Sequence, residues 1–181
     1  HEDVFRIPDG LPAVEAAAMH VTYQSAWFGL YRRAQLVAGE TLLVHAGAGG
    51  VGSAAIQLGV AAGARVIATA GGPDKVEVCR GLGAAEVLDH RAEDVLERVR
   101  ELTDGRGVDV VFDPVGGGTF DLSRRCIAWE GRIVVVGAAG GRYAQAPTNH
   151  ALVKNYSVVG LNWGGYRTRR PDLVRAAHDD L

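Results

Sequence analysis

A short apolar run that breaks into glycines and then into a small-residue helix constrains this chain more than any other feature. In "TLLVHAGAGGVGSAAIQLGVAAG" residues 41–46 read as a strand, and the alanine-rich remainder reads as a helix packed close on a sheet. Between them Gly47, Gly49 and Gly52 fall on the spacing G-x-G-x-x-G. Each glycine then has its own role. Gly47 permits the tight turn, Gly49 leaves the backbone open to close approach, and Gly52 lets the helix lie against the strand. The chain has 25 glycines in 181 residues, about twice the usual ~7% share, so spacing alone carries little weight. The strand–loop–helix context is what gives the pattern its meaning.

From residue 41 onward the same alternation repeats. "ARVIATA" (64–70), "AEVLDH" (85–90), "VDVVFD" (108–113) and "GRIVVVG" (131–137) read as strands. Helices are expected from Pro73 to Leu82, over "AEDVLERVRELT" (92–103) with Val95, Leu96, Val99 and Leu102 on one face, around Thr119 to Ile127, and over "PDLVRAAHDD" (171–180). "YSVVGLNW" (156–163) adds one edge strand. Strands apolar throughout, separated by helices, indicate a parallel sheet covered on both faces, which right-handed crossovers wind into a doubly wound α/β (Rossmann) fold. "AVEAAAMHVTYQSAWFGLYRRAQ" before the first strand reads as a helical crossover segment.

In that context the loop reads as a phosphate cradle, because free N–H groups and the partial positive charge of the helix N-terminus face whatever lies against Gly49; the alternative is that the glycines serve close packing only. A dinucleotide that keeps its ribose 2′-hydroxyl usually meets an acid ~20 residues on, at the end of the second strand. Residues 69–72, "TAGG", contain none, and Asp74 belongs to the first turn of the next helix. Lys75 and the pair His90–Arg91 supply cations beside that strand end, which favours NADPH. The alternative for Lys75 and Arg91 is ordinary solvated surface. A net charge of −2 argues against a general nucleic-acid binder. Cys79 and Cys126 have no C-x-x-C spacing, which points to the cytoplasm. No apolar run approaches the ~18 residues of a membrane helix.

Six stretches in order, "AAAMHVTYQSAWFGL", "VHAGAGGVGSAAIQLG", "ARVIATAGG", "GAAEVLDHR", "GVDVVFDPVGGGTF" and "GRIVVVGAAGG", resemble the coenzyme domain of the medium-chain dehydrogenase/reductase superfamily, in its quinone oxidoreductase (zeta-crystallin-like) branch. The resemblance implies that Gly49, Gly50, Val51 and Gly52 hold a pyrophosphate. It implies that Gly71, Lys75 and His90 surround the 2′-phosphate of NADP. Val136, Gly137 and Ala138 would pass under the nicotinamide, with Ser25, at a position usually threonine, approaching from the other side. In the alcohol dehydrogenase branch a zinc-ligating cysteine stands four residues before that position; here it is Val21, so the expectation is zinc-free. The neighbouring His20 reads as structural or solvated.

The implied activity is hydride transfer from NADPH to a quinone or another conjugated carbonyl compound. The alternatives are an enoyl-thioester reductase of the same superfamily and a dinucleotide-binding module without turnover. Residues 1–12 resemble the tail of a catalytic lobe and 13–181 the cofactor domain, so most of the substrate pocket is expected outside this sequence and the chain alone is expected to be inactive. No catalytic residue stands out. Asp109 and Asp113 bracket a strand as capping or turn residues, and Tyr143, Tyr156 and Tyr166 fall where the cleft is expected. The apolar edge from Ser157 to Trp163 invites pairing into a homodimer unless the C-terminal helix covers it.

Overall fold

The structure is a computed structural model that describes residues 4–181. Six strands form one parallel sheet: β1 (Thr41–Val44), β2 (Arg65–Ala70), β3 (Glu86–Asp89), β4 (Val108–Asp113), β5 (Ile127–Val135) and β6 (Ser157–Gly160), in the order β3-β2-β1-β4-β5-β6. The order reverses at β1, whose Leu42 pairs with Val66 on one side and Val110 on the other. In a doubly wound sheet that reversal opens a crevice at the carboxyl ends of the strands.

Alternation along each strand supplies two apolar faces. Leu42, Val44, Val66, Ala68, Val110 and Phe112 face one core, with Ala54 and Ile56 of α2 (Gly50–Ala61) and Val76 of α3 (Pro73–Gly81). Leu43, Ile67, Leu88, Val111 and Ile133 face the other, with Val95 and Val99 of α4 (Val95–Leu102) and Phe120 of α5 (Gly118–Cys126). Burying each such side chain contributes about 1.5–3 kcal/mol, and the two cores give the sheet its rigidity. The amphipathic face expected of Val95, Leu96 and Val99 is buried, and Asp94 caps that helix by accepting from the amides of Leu96 and Glu97.

The segment before β1 is helical, as its composition indicates. Helix α1 (Ala13–Trp27) continues as a π-helical turn, Phe28–Arg33. It is tied to α2 where Gln57 Nε2 donates to Tyr23 Oη (2.6 Å) and Tyr31 Oη donates to the Leu58 carbonyl (2.8 Å). Of the expected lobe tail at residues 1–12, residues 1–3 lie outside the described residues; Phe5 packs against His20 and His178 at 4.5 and 4.7 Å between ring centroids.

Three expectations need correction. Strand β5 starts at Ile127 and not at Gly131, because a register shift opposite Val108–Val110 absorbs residues 128–131, with Glu130 in the left-handed region (φ 59°). The edge strand ends at Gly160 and not at Trp163. Leu161 and Trp163 turn inward to pack on Phe28 and Val174, and Trp163 opens α7 (Trp163–Arg169), capped by Asn162. Helix α6 (Thr148–Lys154) and α7 were not expected; neither has a fully buried residue, so neither carries apolar periodicity to read. Helix α8 (Pro171–Asp180) packs against α1 through Val174 and Ala177.

Candidate dinucleotide-binding site

The crevice is built outward from the end of β1. His45 and Ala46 follow the strand; Ala46 takes the left-handed conformation (φ 52°), and its carbonyl accepts from the Gly49 amide at 2.9 Å. The residue with the strained backbone is therefore Ala46, which corrects the reason given for Gly47. Gly47 is required for space: a Cβ there would lie 2.9 Å from Cys79 Sγ and 3.0 Å from Ile56 Cδ1. At Gly52 a Cβ would overlap the Ala46 carbonyl oxygen, so the first turn of α2 lies directly against the end of β1. Gly49 and Gly50 are exposed, the first-turn amides have no partner within the helix, and that turn contains no acid. The loop thus presents unpartnered amides and a partial positive charge, the chemistry that binds an anion.

Helix α1 crosses above this loop, with Thr22 Cγ2 3.0 Å from where a Cβ on Gly50 would stand. Ser25, three residues further along α1, is buried on the same helical face. On the other side of the sheet reversal, the Asp113 carboxylate closes a turn by accepting from the amides of Val115 (2.8 Å) and Gly116 (3.0 Å). The chain after β5 runs beside it: the Val136 amide donates to the Asp113 carbonyl, and the Ala139 amide to the Pro114 carbonyl. A Cβ on Gly137 would lie 3.2 Å from the Pro114 carbonyl oxygen. Val136, Gly137 and Ala138 therefore lie half-buried beside the turn that follows β4.

At the end of β2 the chain carries no acid, and the neighbouring strand end fills the space. A Cβ on Gly71 would lie 2.8 Å from His90 Nε2 and 3.0 Å from Arg91 Nε, so both side chains lie over Gly71. Asp89 fixes this corner: its Oδ1 accepts from the amides of Arg91 and Gly72, each at 3.0 Å. Those two bonds hold its carboxyl below the usual carboxylate range. Lys75 is exposed on the first turn of α3 and, among the described residues, makes no ion pair. Gly71, His90 and Arg91 are brought together; Lys75 is on the first turn of the helix that follows Gly72. Asp89 was missed, although an Asp at a strand end before a turn is a recognisable backbone-capping signal.

Between these corners lies a cleft of about 340 Å³ lined by His45, Thr69, His90, Val95, Thr119 and Leu122. His45 is buried: its Nδ1 lies 3.1 Å from Thr69 Oγ1 and its Nε2 2.9 Å from Ser123 Oγ. Burial pushes its pKa down to about 4, partly opposed by Asp113 and assisted by His90.

Other candidates stand elsewhere. Tyr156 is buried on the α4–α5 face against His150, and Tyr166 stacks on Phe28 at 4.2 Å, so neither belongs to the crevice. Tyr143 is exposed in the loop after β5. His20 sits among Phe5, Trp163 and Gln24, a packing role. Among the described residues no group of three or more His, Cys, Asp or Glu side chains is arranged to hold a metal.

Residues 50–179 match the model of a family described as zinc-binding dehydrogenase. The chain is 40% identical over 177 residues to the quinone oxidoreductase-like protein 2 homolog of Nematostella vectensis, covering 97% of this chain and 48% of that protein. It superposes on the quinone oxidoreductase of Thermus thermophilus, which has been solved in complex with NADPH, with a TM-score of 0.87 and 34% identity over 98% of this chain and 56% of that one. The CurK enoyl reductase gives 0.86 and 30%, over 99% of this chain and 53% of that one. The chain spans about half the length of the curated relatives it matches.

Proposed function

Because the chain belongs to the zinc-binding dehydrogenase family of the medium-chain dehydrogenase/reductase superfamily, in its quinone oxidoreductase branch, we propose that it is the cofactor-binding half of an NADPH-dependent quinone oxidoreductase. Residues 13–181 form the NADP-binding domain and residues 1–12 lead in from a catalytic lobe. The observation that carries the reading is the corner at the end of β2: residues 69–72 carry no acid, the nearby Asp89 carboxylate is bonded to the Gly72 and Arg91 amides, and the His90 and Arg91 side chains lie over Gly71. A 2′-hydroxyl finds no acceptor of its usual kind there, whereas a 2′-phosphate finds donors.

The amides of Gly50, Val51 and Gly52 donate to the pyrophosphate, with Gly47 and Gly49 keeping the loop free of side chains. Gly71, Lys75, His90 and Arg91 hold the 2′-phosphate. Val136, Gly137 and Ala138 support the nicotinamide from the β4–β5 side, and Ser25 presents a hydroxyl from α1. Bound NADPH supplies the hydride; the chain orients the ring and keeps water from it. The acceptor is a quinone or another conjugated carbonyl compound, taken up by the rest of the protein, and zinc has no part in the reaction. This chain alone binds without turnover.

An enoyl-thioester reductase is the second reading, favoured by the similarity to the CurK enoyl reductase. The test is a turnover assay of the longer protein with NADPH. Reduction of quinones and not of enoyl thioesters supports the first reading; the reverse supports the second.

We place the protein in the cytoplasm as a homodimer joined through β6. Val158 is exposed on that edge strand, Leu152 and Val153 are exposed on α6, and α8 packs on α1 and α7. Cys79 and Cys126 are free and buried, and burial pushes the Cys126 thiol to about 12, as suits inert cysteines. Among the described residues no helix is long and apolar enough to cross a membrane.

A further inference from the structure

We infer that His45 is a positioning residue, which ties the end of β2 to helix α5 and so sets the width of the cleft that receives the adenosine end of the dinucleotide. The inference rests on the dinucleotide reading above.

The hydrogen bonds fix what His45 does. Ser123 has one hydroxyl proton, and it goes to the Thr119 carbonyl at 2.8 Å, since that oxygen can only accept. Ser123 Oγ must then accept from His45 Nε2–H at 2.9 Å. The proton is thereby assigned to Nε2, and the lone pair on Nδ1 accepts from Thr69 Oγ1 at 3.1 Å. A neutral, buried imidazole satisfied on both sides is a strut of fixed length between two elements. Its depressed pKa is consistent with that state.

The two ends of the strut are parts of one cavity wall. Thr69 lines the cleft from β2, two residues before Gly71. Ser123 follows Leu122 and bonds back to Thr119, and both of those side chains line the cleft from α5. β2 is held in register by β1 and β3, and α5 packs on α4, β4 and β5 through Phe120 and Cys126. Neither set of contacts joins α5 to β2, and the bonds of His45 to Thr69 and Ser123 bridge the two, fixing how Thr119 and Leu122 stand relative to Thr69. The chain leaves His45 directly into Ala46 and the glycine loop, so the strut is rooted at the base of the crevice.

Variants can separate the arms, because a Gln amide nitrogen reaches the place of Nε2 and an Asn side chain the place of Nδ1. The probe is adenosine 2′,5′-bisphosphate, titrated calorimetrically into this chain, with thermal unfolding followed in parallel. His45→Phe and His45→Asn are expected to weaken binding about tenfold, the equivalent of one lost buried hydrogen bond. His45→Gln is expected to stay within about threefold of the parent chain. Ser123→Ala, which removes only the α5 arm, is expected to match His45→Asn and carries the test if His45→Phe does not fold. Folded His45→Asn and Ser123→Ala variants that bind as tightly as the parent overturn the inference and leave the dinucleotide reading standing, as does equal weakening by Gln and Asn. A parent chain that fails to bind the probe overturns the dinucleotide reading itself, and this inference with it.

Discussion

The amide of Gly72 donates to Asp89 Oδ1 at 3.0 Å, joining the turn after β2 to the end of β3. The same oxygen holds the Arg91 amide, so one carboxylate fixes both the glycine turn and the cations over it. An acid at this corner would ordinarily repel a phosphate, but here its charge is taken up by backbone donors. Asp89→Ala is expected to weaken NADPH binding about tenfold while leaving NADH binding within a factor of two, read by calorimetric titration. Equal weakening for both cofactors would show that Asp89 supports the fold of the crevice and not the 2′-phosphate corner.

Two glycines separate stability from binding. Gly52→Ala drives a Cβ into the Ala46 carbonyl, backbone that cannot swing aside as a side chain would, and is expected to cost about 2–3 kcal/mol in urea unfolding. Gly71→Ala meets only the far ends of the His90 and Arg91 side chains, which can move. It is expected to change stability by less than about 0.5 kcal/mol and to weaken NADPH binding about tenfold by displacing those donors. A Gly71→Ala variant that binds NADPH as the parent does would remove the assignment of that corner.

His45 makes stability depend on pH. Its folded pKa, about 4, lies below the ordinary histidine value of 6.5, so between those limits the unfolded chain binds more protons than the folded one. This contribution is fully present above about pH 6.5 and is lost as the pH falls toward 4, by at most about 3 kcal/mol. Urea midpoints between pH 7 and pH 4.5 are expected to fall less steeply in His45→Gln than in the parent. Parallel curves would show that His45 titrates normally in the folded state.

Val158 stands exposed on the edge strand. Val158→Lys places a charge where a second copy would pair, and sedimentation is expected to show a dimer for the parent chain and a monomer for the variant. A variant that remains dimeric would move the interface elsewhere.

Strand–helix alternation made the sheet legible, because the central strands β1, β2 and β4 are buried on both faces and Leu42, Leu43 and Val44 leave no polar position to confuse the period. The glycine loop was legible in its spacing but not in its mechanics: the left-handed residue is Ala46, while Gly47 is demanded by Cys79 and Ile56, contacts that exist only once α2 and α3 have packed. Helices α6 and α7 and the early start of β5 escaped notice for a related reason, since capping by Asn162 and a register shift leave no apolar period. The sequence shows His90 and Arg91 as cations near the right strand end. Their convergence on Gly71 depends on Asp89, whose bond to the Arg91 amide is local but whose bond to the Gly72 amide is a tertiary fact.

Cofactor choice is the most direct measure of the proposed 2′-phosphate corner, read by calorimetric titration of this chain with NADPH and, separately, NADH. Binding of NADPH is expected to be at least about tenfold tighter, with the preference abolished in the Lys75→Ala/His90→Ala double variant. Equal affinities in the parent chain, or a preference that survives the double variant, would contradict it.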